Sequence, residues 1–240
     1  MTDEPKTIVQ RLQEVRGRLS DACRAAGRDP ADVTLVAVSK GHPAQAIRDA
    51  YAAGQRDFGE NYVQEWQVKA QALADLTDLR WHFVGHLQRN KVKLVVGNVF
   101  LLHSADDMAG IGELARVAWS RGIRQDVLLQ VNLAQEASKR GCTEAEADEF
   151  VQVLCRSPGL RLLGLMTLHP VEDDPQQARL WFAQLSGLRD RLAAQWQDQP
   201  GVPAEWSLSM GMSGDFSTAI AEGATHVRIG TAIFGSRTYT

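Results

Sequence analysis

Val33-Thr34-Leu35-Val36-Ala37-Val38-Ser39-Lys40 decides the fold. The run is short, β-branched and apolar almost throughout, and it ends on a lysine. A strand apolar on both faces is covered on both faces, as in a parallel sheet. Parallel neighbours need long crossover connections, so helices are expected between strands.

Upstream, 6–26 reads as an amphipathic helix: Ile8, Val9, Leu12, Val15 and Leu19 recur at helical spacing, and Gly27 is a natural stop. Downstream, the strand-then-helix unit repeats. The further strand candidates are 57–59, 81–85, 99–103, 127–132, 162–166, 206–210 and 226–230, with Asp57-Phe58-Gly59 the weakest. Helical stretches at 43–53, 63–76, 108–121, 144–156, 175–197 and 216–222 separate them. Eight parallel strands with right-handed crossovers close a barrel. The expected fold is therefore α/β: a single (β/α)8 (TIM) barrel domain spanning 1–240, with an extra N-terminal helix. An open doubly wound sheet is the rival.

The chain's 240 residues suit one such barrel, which usually takes about 250. Hydrophobic residues make up 44% and charged residues 23%, enough apolar material for a large core. The net charge of −3 argues against nucleic acid, and Arg89-Asn90-Lys91-Val92-Lys93 reads as a solvated helix face. Three cysteines without a C-x-x-C pair indicate neither a disulfide framework nor a zinc knuckle. The polar start, Met1 to Lys6, has no signal core, and no apolar run nears the roughly 20 residues that span a bilayer. No membrane contact and a cytoplasmic location are the expectations.

Lysine is rare, six against twenty arginines, and only Lys40 closes an apolar strand. The C-terminal strand ends of a barrel form its active-site face. A lysine whose stem enters an apolar mouth loses its proton more readily, which frees the amine to attack a carbonyl. A class I aldolase satisfies that pattern equally. The last two strand ends discriminate: Gly211-Met212-Ser213-Gly214-Asp215 follows the seventh, and Gly230-Thr231-Ala232-Ile233-Phe234-Gly235 follows the eighth. Barrels frequently bind phosphate at these two loops, through backbone N–H groups and hydroxyls such as those of Ser213 and Thr231. Together with the lysine they point to a phosphorylated aldehyde. Arg228 shares its strand facing with Gly230 and is expected to point into the mouth. Facing a pyridine nitrogen, a guanidinium keeps that nitrogen unprotonated, because it has no proton-accepting site.

Three patterns are set aside. His82 and His86 sit four apart on a strand, roughly 13 Å, too far for one metal. Gly110-Ile111-Gly112-Glu113-Leu114-Ala115 lies inside a predicted helix, not between strand and helix as a dinucleotide loop requires. Lys139, after the fifth strand, is a weaker second candidate for capturing an aldehyde.

The strings Val36-Ala37-Val38-Ser39-Lys40, Phe58-Gly59-Glu60-Asn61-Tyr62-Val63-Gln64-Glu65, Trp81 to Lys91, Gly164-Leu165-Met166, Gly211-Met212-Ser213 and Val227 to Gly235 carry a resemblance. Over nearly its whole length the chain resembles the pyridoxal phosphate homeostasis protein family, related to the N-terminal barrel of alanine racemase (fold type III). The resemblance implies pyridoxal 5′-phosphate (PLP) as cofactor, held as a Schiff base on Lys40. It implies that Ser213, Gly230 and Thr231 hold the phosphate and that Arg228 faces the ring nitrogen. Asn61, His86 and Met210 fall on positions lining the same mouth.

The implied role is buffering of PLP and vitamin B6 homeostasis with little or no turnover. PLP is the expected partner, with apo-enzymes or free amino acids as recipients, and the protein is expected to be a monomer. A PLP-dependent racemase is the alternative. Racemisation needs acid–base groups on both faces of a planar intermediate. The eight repeats use up the chain, leaving no second domain to supply the other group. Of three tyrosines, Tyr51 lies in a helix and Tyr239 in the tail, so Tyr62 is the substitute to examine.

Overall fold

The computed structural model describes residues 6–136, 139–170 and 175–236. The starts and tail read above, Met1 to Pro5 and Tyr239 among them, lie outside the described residues.

Eight parallel strands close on themselves in sequence order: β1 (Thr34–Val38), β2 (Asp57–Glu60), β3 (Arg80–Phe83), β4 (Leu101–Ala105), β5 (Gln125–Val131), β6 (Leu160–Thr167), β7 (Ser207–Ser209) and β8 (His226–Ile229). The seam is paired from Thr34 with His226 to Ala37 with Ile229, which excludes the open sheet. Helices α2 (Ala44–Ala52), α3 (Val63–Ala72), α4 (Val92–Val95), α5 (Met108–Ser120), α6 (Ala147–Arg156), α7 (Pro175–Trp196), α8 (Phe216–Ala221) and α9 (Thr231–Phe234) follow the strands in turn. The extra N-terminal helix, α1 (Ile8–Ala25), starts on a reciprocal cap: Thr7 Oγ1 accepts from Gln10 N, and Gln10 Oε1 accepts from Thr7 N. It buries Leu12, Val15, Leu19 and Cys23 and is tied to α9 by Arg11 Nε donating to Ile233 O at 2.7 Å.

Side chains alternate along each strand. Outward-facing Ala37, Phe58, Phe83, Leu102, Leu129, Leu165, Leu208 and Ile229 join the helices in one continuous core. Two smaller clusters, Val36-Val38-Val84 and Leu101-Leu128-Met166, form apart from it. They belong to the opposite parity of the same strands, inside the barrel, and buried polar residues share that space.

The differences from the sequence reading have local causes. Between β3 and β4 the crossover is a single 3-10 turn, Arg89–Lys91, running into the one-turn α4. The basic cluster does lie there, with Val92 and Val95 buried, but one turn is too short to show a helical period. The same holds for α9. β6 is longer than its apolar run because Leu160 and Arg161 pair with Gln125 and Asp126 at one end and Thr167 with Val131 at the other.

Candidate functional site

The C-terminal ends of the strands form one mouth. Lys40 leaves β1 there: Ser39 N still donates to Gly59 O, so the ladder continues one residue past Val38. Lys40 therefore keeps the inward facing of Val36 and Val38, and it is half-buried. A second lysine, Lys69 on α3, is deeply buried behind the same strand. Lys69 Nζ donates to Glu60 Oε1 at 2.6 Å, Glu65 Oε1 at 2.7 Å and Ser39 O at 2.7 Å. Glu65 Oε1 also accepts from Gly41 N, and Glu60 Oε1 from Ser39 Oγ at 2.6 Å. The backbone on both sides of Lys40 is thus held by a buried ion cluster behind the barrel wall. Burial raises the Glu60 carboxyl above the usual range, against Lys69 and Ser39, which lower it.

Asn61 follows β2 and lies against Gly85, where a Cβ would collide with the Asn61 backbone. Its side-chain oxygen is buried without a hydrogen-bond partner. A half-turn exchanges amide oxygen and nitrogen, so the position offers a donor or an acceptor to a group in the mouth. His86 Nδ1 pairs with Asp106 Oδ2 at 2.6 Å. Beside it a hollow of about 460 Å³ is lined by His86, Gln88, Arg89, Asp107, Ala109 and Arg140. His86, Asp106 and Asp107 place ligand atoms within 4.8 Å of one another. Both acids are engaged, however, Asp106 with His86 and Asp107 in capping Gly110 N of α5.

On the other side, Thr231 Oγ1 donates to Ser213 Oγ at 3.2 Å and Ala232 N to the same oxygen at 3.3 Å. The two loops read as a phosphate cup therefore do converge. Gly230 brings them to β1: a Cβ there would lie 3.2 Å from Val38 O, two residues before Lys40. Met210 does not line this space with its side chain. It alternates outward with Leu208 and belongs to the outer core with Phe216, while Ser209 faces inward. Lys139 is half-buried and donates to Glu136 Oε1 at 3.0 Å.

Arg228 is buried at the inner end of the mouth and donates to Ser209 Oγ at 2.7 Å and Thr167 O at 2.8 Å. Burial lowers its pKa to about 10. Below it His103, His82 and His226 are packed inside the barrel, with His103–His226 ring centroids 5.7 Å apart and His82–His226 6.1 Å. Burial pushes His226 down to about 3 and His103 well below the ordinary imidazole value, and their cationic and histidine neighbours add to this. The sequence reading treated His82 only as a rejected metal ligand and passed over His103, Ser209, Glu60 and Lys69. The signal was available for Glu60 and His103: each is a polar residue in a short strand beside an apolar residue of the same facing, Phe58 and Leu101.

Residues 11–238 match the family model of the alanine racemase N-terminal domain. The pyridoxal phosphate homeostasis protein of Aquifex aeolicus is 43% identical over 230 residues, covering 96% of this chain and 98% of the relative. That of Escherichia coli K12 is 41% identical over 239 residues, covering 97% and 98%. The chain belongs to the pyridoxal phosphate homeostasis protein family. Among solved structures, PipY of Synechococcus elongatus PCC7942, solved with PLP bound, aligns with a TM-score of 0.84 at 38% identity, covering 95% of this chain and all of that one. Alanine racemase of Corynebacterium glutamicum, at 17% identity and a TM-score of 0.64, shares the fold. The site of this family member fits the cofactor carried by PipY: a hydroxyl and N–H cup for phosphate, an amide with an unpaired buried atom, and a buried guanidinium share one mouth with Lys40.

Proposed function

We propose that this protein binds and buffers pyridoxal 5′-phosphate, with Lys40 as the attachment point, and contributes to vitamin B6 homeostasis with little or no turnover. The observation that carries this reading is the approach of Gly230 to Val38 O, which sets the Ser213–Thr231 cup beside the end of the strand that carries Lys40. When bound, the cofactor supplies an aldehyde for an amine to capture. The protein's own residues do the rest. Ser213, Thr231 and the Ala232 N–H hold the phosphate by charge-assisted hydrogen bonds. Arg228 would meet the ring nitrogen and, having no proton-accepting site, would leave it unprotonated, which would weaken the cofactor as an electron sink. Asn61 and His86 line the approach. The names of the relatives and the PLP bound to PipY support the reading.

The racemase alternative needs an acid–base group opposite Lys40. Tyr62 precedes α3 and is 61% exposed, which favours the non-catalytic reading. Among the described residues no helix is long and apolar enough to cross a membrane. A monomer in the cytoplasm, exchanging cofactor with apo-enzymes or amino acids, completes the proposal.

The test is the visible spectrum with and without added PLP, followed by borohydride reduction and peptide mass mapping. The pyridoxyl group is expected on Lys40. Dominant labelling of Lys139 or Lys69 in the native protein overturns the assignment, as does a spectrum that PLP leaves unchanged.

A further inference from the structure

Five of the buried polar residues inside the barrel form a continuous chain of contacts. Arg228 Nη1 lies 2.7 Å from Ser209 Oγ, and Ser209 Oγ 2.8 Å from His103 Nδ1. His103 Nε2 lies 2.9 Å from His82 Nδ1, and His82 Nε2 3.0 Å from Asp57 Oδ1. Asp57 and Arg80 are the first residues of β2 and β3, at the face opposite the mouth, and Arg80 grips Asp57 in a two-pronged pair at 2.7 and 2.6 Å. The chain therefore runs from the mouth across the barrel interior to its far end.

Its direction follows from the chemistry of the two ends. A guanidinium only donates, so Ser209 accepts from Arg228 and has its own hydrogen to give to His103 Nδ1. A neutral imidazole that accepts at one nitrogen donates from the other, so His103 Nε2–H donates to His82 Nδ1. His82 Nε2–H then donates to the Asp57 carboxylate. Starting from Asp57 gives the same order: an ionised carboxylate requires a hydrogen on His82 Nε2. Both conditions hold only while the two imidazoles are neutral. Full burial favours the neutral form, and the cations Arg80, near His82, and Arg228, near His103, oppose added positive charge, against Asp57, which favours it on His82.

We propose that Asp57, His82 and His103 are positioning residues for Arg228, a one-way hydrogen-bond relay (Arg228 to Ser209 to His103 to His82 to Asp57) that fixes the guanidinium where it meets the cofactor's ring nitrogen. The link to the cofactor rests on the function proposed above. Among the described residues the hydrogen bonds of Arg228 go to Ser209 and the Thr167 carbonyl, and the carboxylate of Asp215 favours its charge from a distance. The relay ties the Ser209 end that accepts from Arg228 to the Asp57 carboxylate, with every intervening group neutral. A buried guanidinium held only by loose neutral contacts would turn toward water at the mouth. The relay removes that freedom.

The first arm of the test uses the apo-protein and no variant. Long-range 1H–15N correlation spectra of the imidazoles near pH 7 are expected to show His82 and His103 both as neutral Nε2–H tautomers. A doubly protonated His82, or an Nδ1–H tautomer at either ring, reverses the chain and overturns the relay. The second arm compares His103→Leu with His103→Gln. The glutamine amide oxygen accepts from Ser209 and its NH2 donates to His82, so the direction is kept. His103→Leu is expected to weaken PLP binding roughly tenfold, about 1.4 kcal/mol. It is also expected to move the titration midpoint of the visible PLP band to lower pH, since a ring nitrogen freed to take a proton withdraws electrons from the Lys40 nitrogen. His103→Gln is expected to restore both. A midpoint unchanged in His103→Leu overturns the positioning claim even where affinity falls. A wild-type protein without a PLP band sinks the proposed function instead, and the tautomers then still decide the relay by themselves.

Discussion

Lys69→Met probes the cluster behind Lys40. Methionine keeps much of the apolar stem and removes the ammonium that three acceptors share. Glu60 is fully buried, and its second carboxylate oxygen already lacks a partner. Removing one member of a buried pair leaves an uncompensated charge and costs about 3–5 kcal/mol. At about 2–4 °C per kcal/mol for a domain of this size, the variant is expected to melt roughly 6–20 °C below wild type near pH 8. The pH dependence has a definite sign. Burial already raises Glu60, and loss of Lys69 raises it further. A carboxyl raised in the folded state binds its proton there before it does in the unfolded chain. The folded form is then favoured as pH falls through the raised value. The gap from wild type is therefore widest near pH 8 and narrows toward pH 5. Adding Glu60→Gln removes the stranded charge and recovers much of the loss. Urea unfolding at both pH values measures this. A single variant within about 1 kcal/mol of wild type near pH 8, the range of an exposed pair, refutes the reasoning, as does a gap that widens on acidification.

Ser213→Ala or Thr231→Val removes a charge-assisted hydrogen bond of about 1.5–3 kcal/mol, so PLP affinity is expected to fall roughly ten- to a hundredfold. Equal binding of pyridoxal and PLP by the wild type refutes the cup. Although burial raises it, Asp57 is held down at about 2 by His82 and Arg80. It contributes stability above its unfolded value that is lost as pH falls from about 4 toward 2, on the order of 2 kcal/mol. Asp57→Asn is expected to flatten that acid limb, and an unchanged acid unfolding curve contradicts the pairing. Alanine and serine are expected to show negligible racemisation by chiral chromatography. A turnover of about 1–1000 per second that Lys40→Ala abolishes would make the protein an enzyme.

The eight strands were legible because outward-facing Ala37, Phe58, Leu129 and Leu208 give each strand an apolar side whatever its inner residues do. The convergence of Ser213 and Thr231 was legible because they stand in glycine-bearing loops after the last two strands, where local sequence and barrel topology agree. Lys69 was not legible. It stands one per turn among polar residues on α3, where a solvated lysine and a buried one look alike. Only the packing of α3 on β2 brings Glu60 and Ser39 to it. The tautomer order of His82 and His103 was beyond reach for a similar reason. Their partners lie 21 and 106 positions away in the chain, and no local pattern encodes a contact across a barrel.

β2 shows why these two failures belong together. Asp57-Phe58-Gly59 was the weakest strand candidate in the sequence, and the strand that forms, Asp57–Glu60, has two acids and a glycine in four residues. Its alternation sends Asp57 inward to His82 and Glu60 outward to Lys69, while Phe58 alone serves the outer core. One four-residue strand thus ends the relay beneath Arg228 on one face and anchors the Lys40 turn on the other. Gly59 keeps the strand close to Val36 and Val38, whose methyl groups would lie 3.1 Å from any Cβ there. The strand is weak as a hydrophobic pattern because its side chains are engaged by charge. A local rule broken inside an otherwise consistent fold marks functional positions, and at β2 the broken rule bears on both groups assigned to the cofactor's two ends.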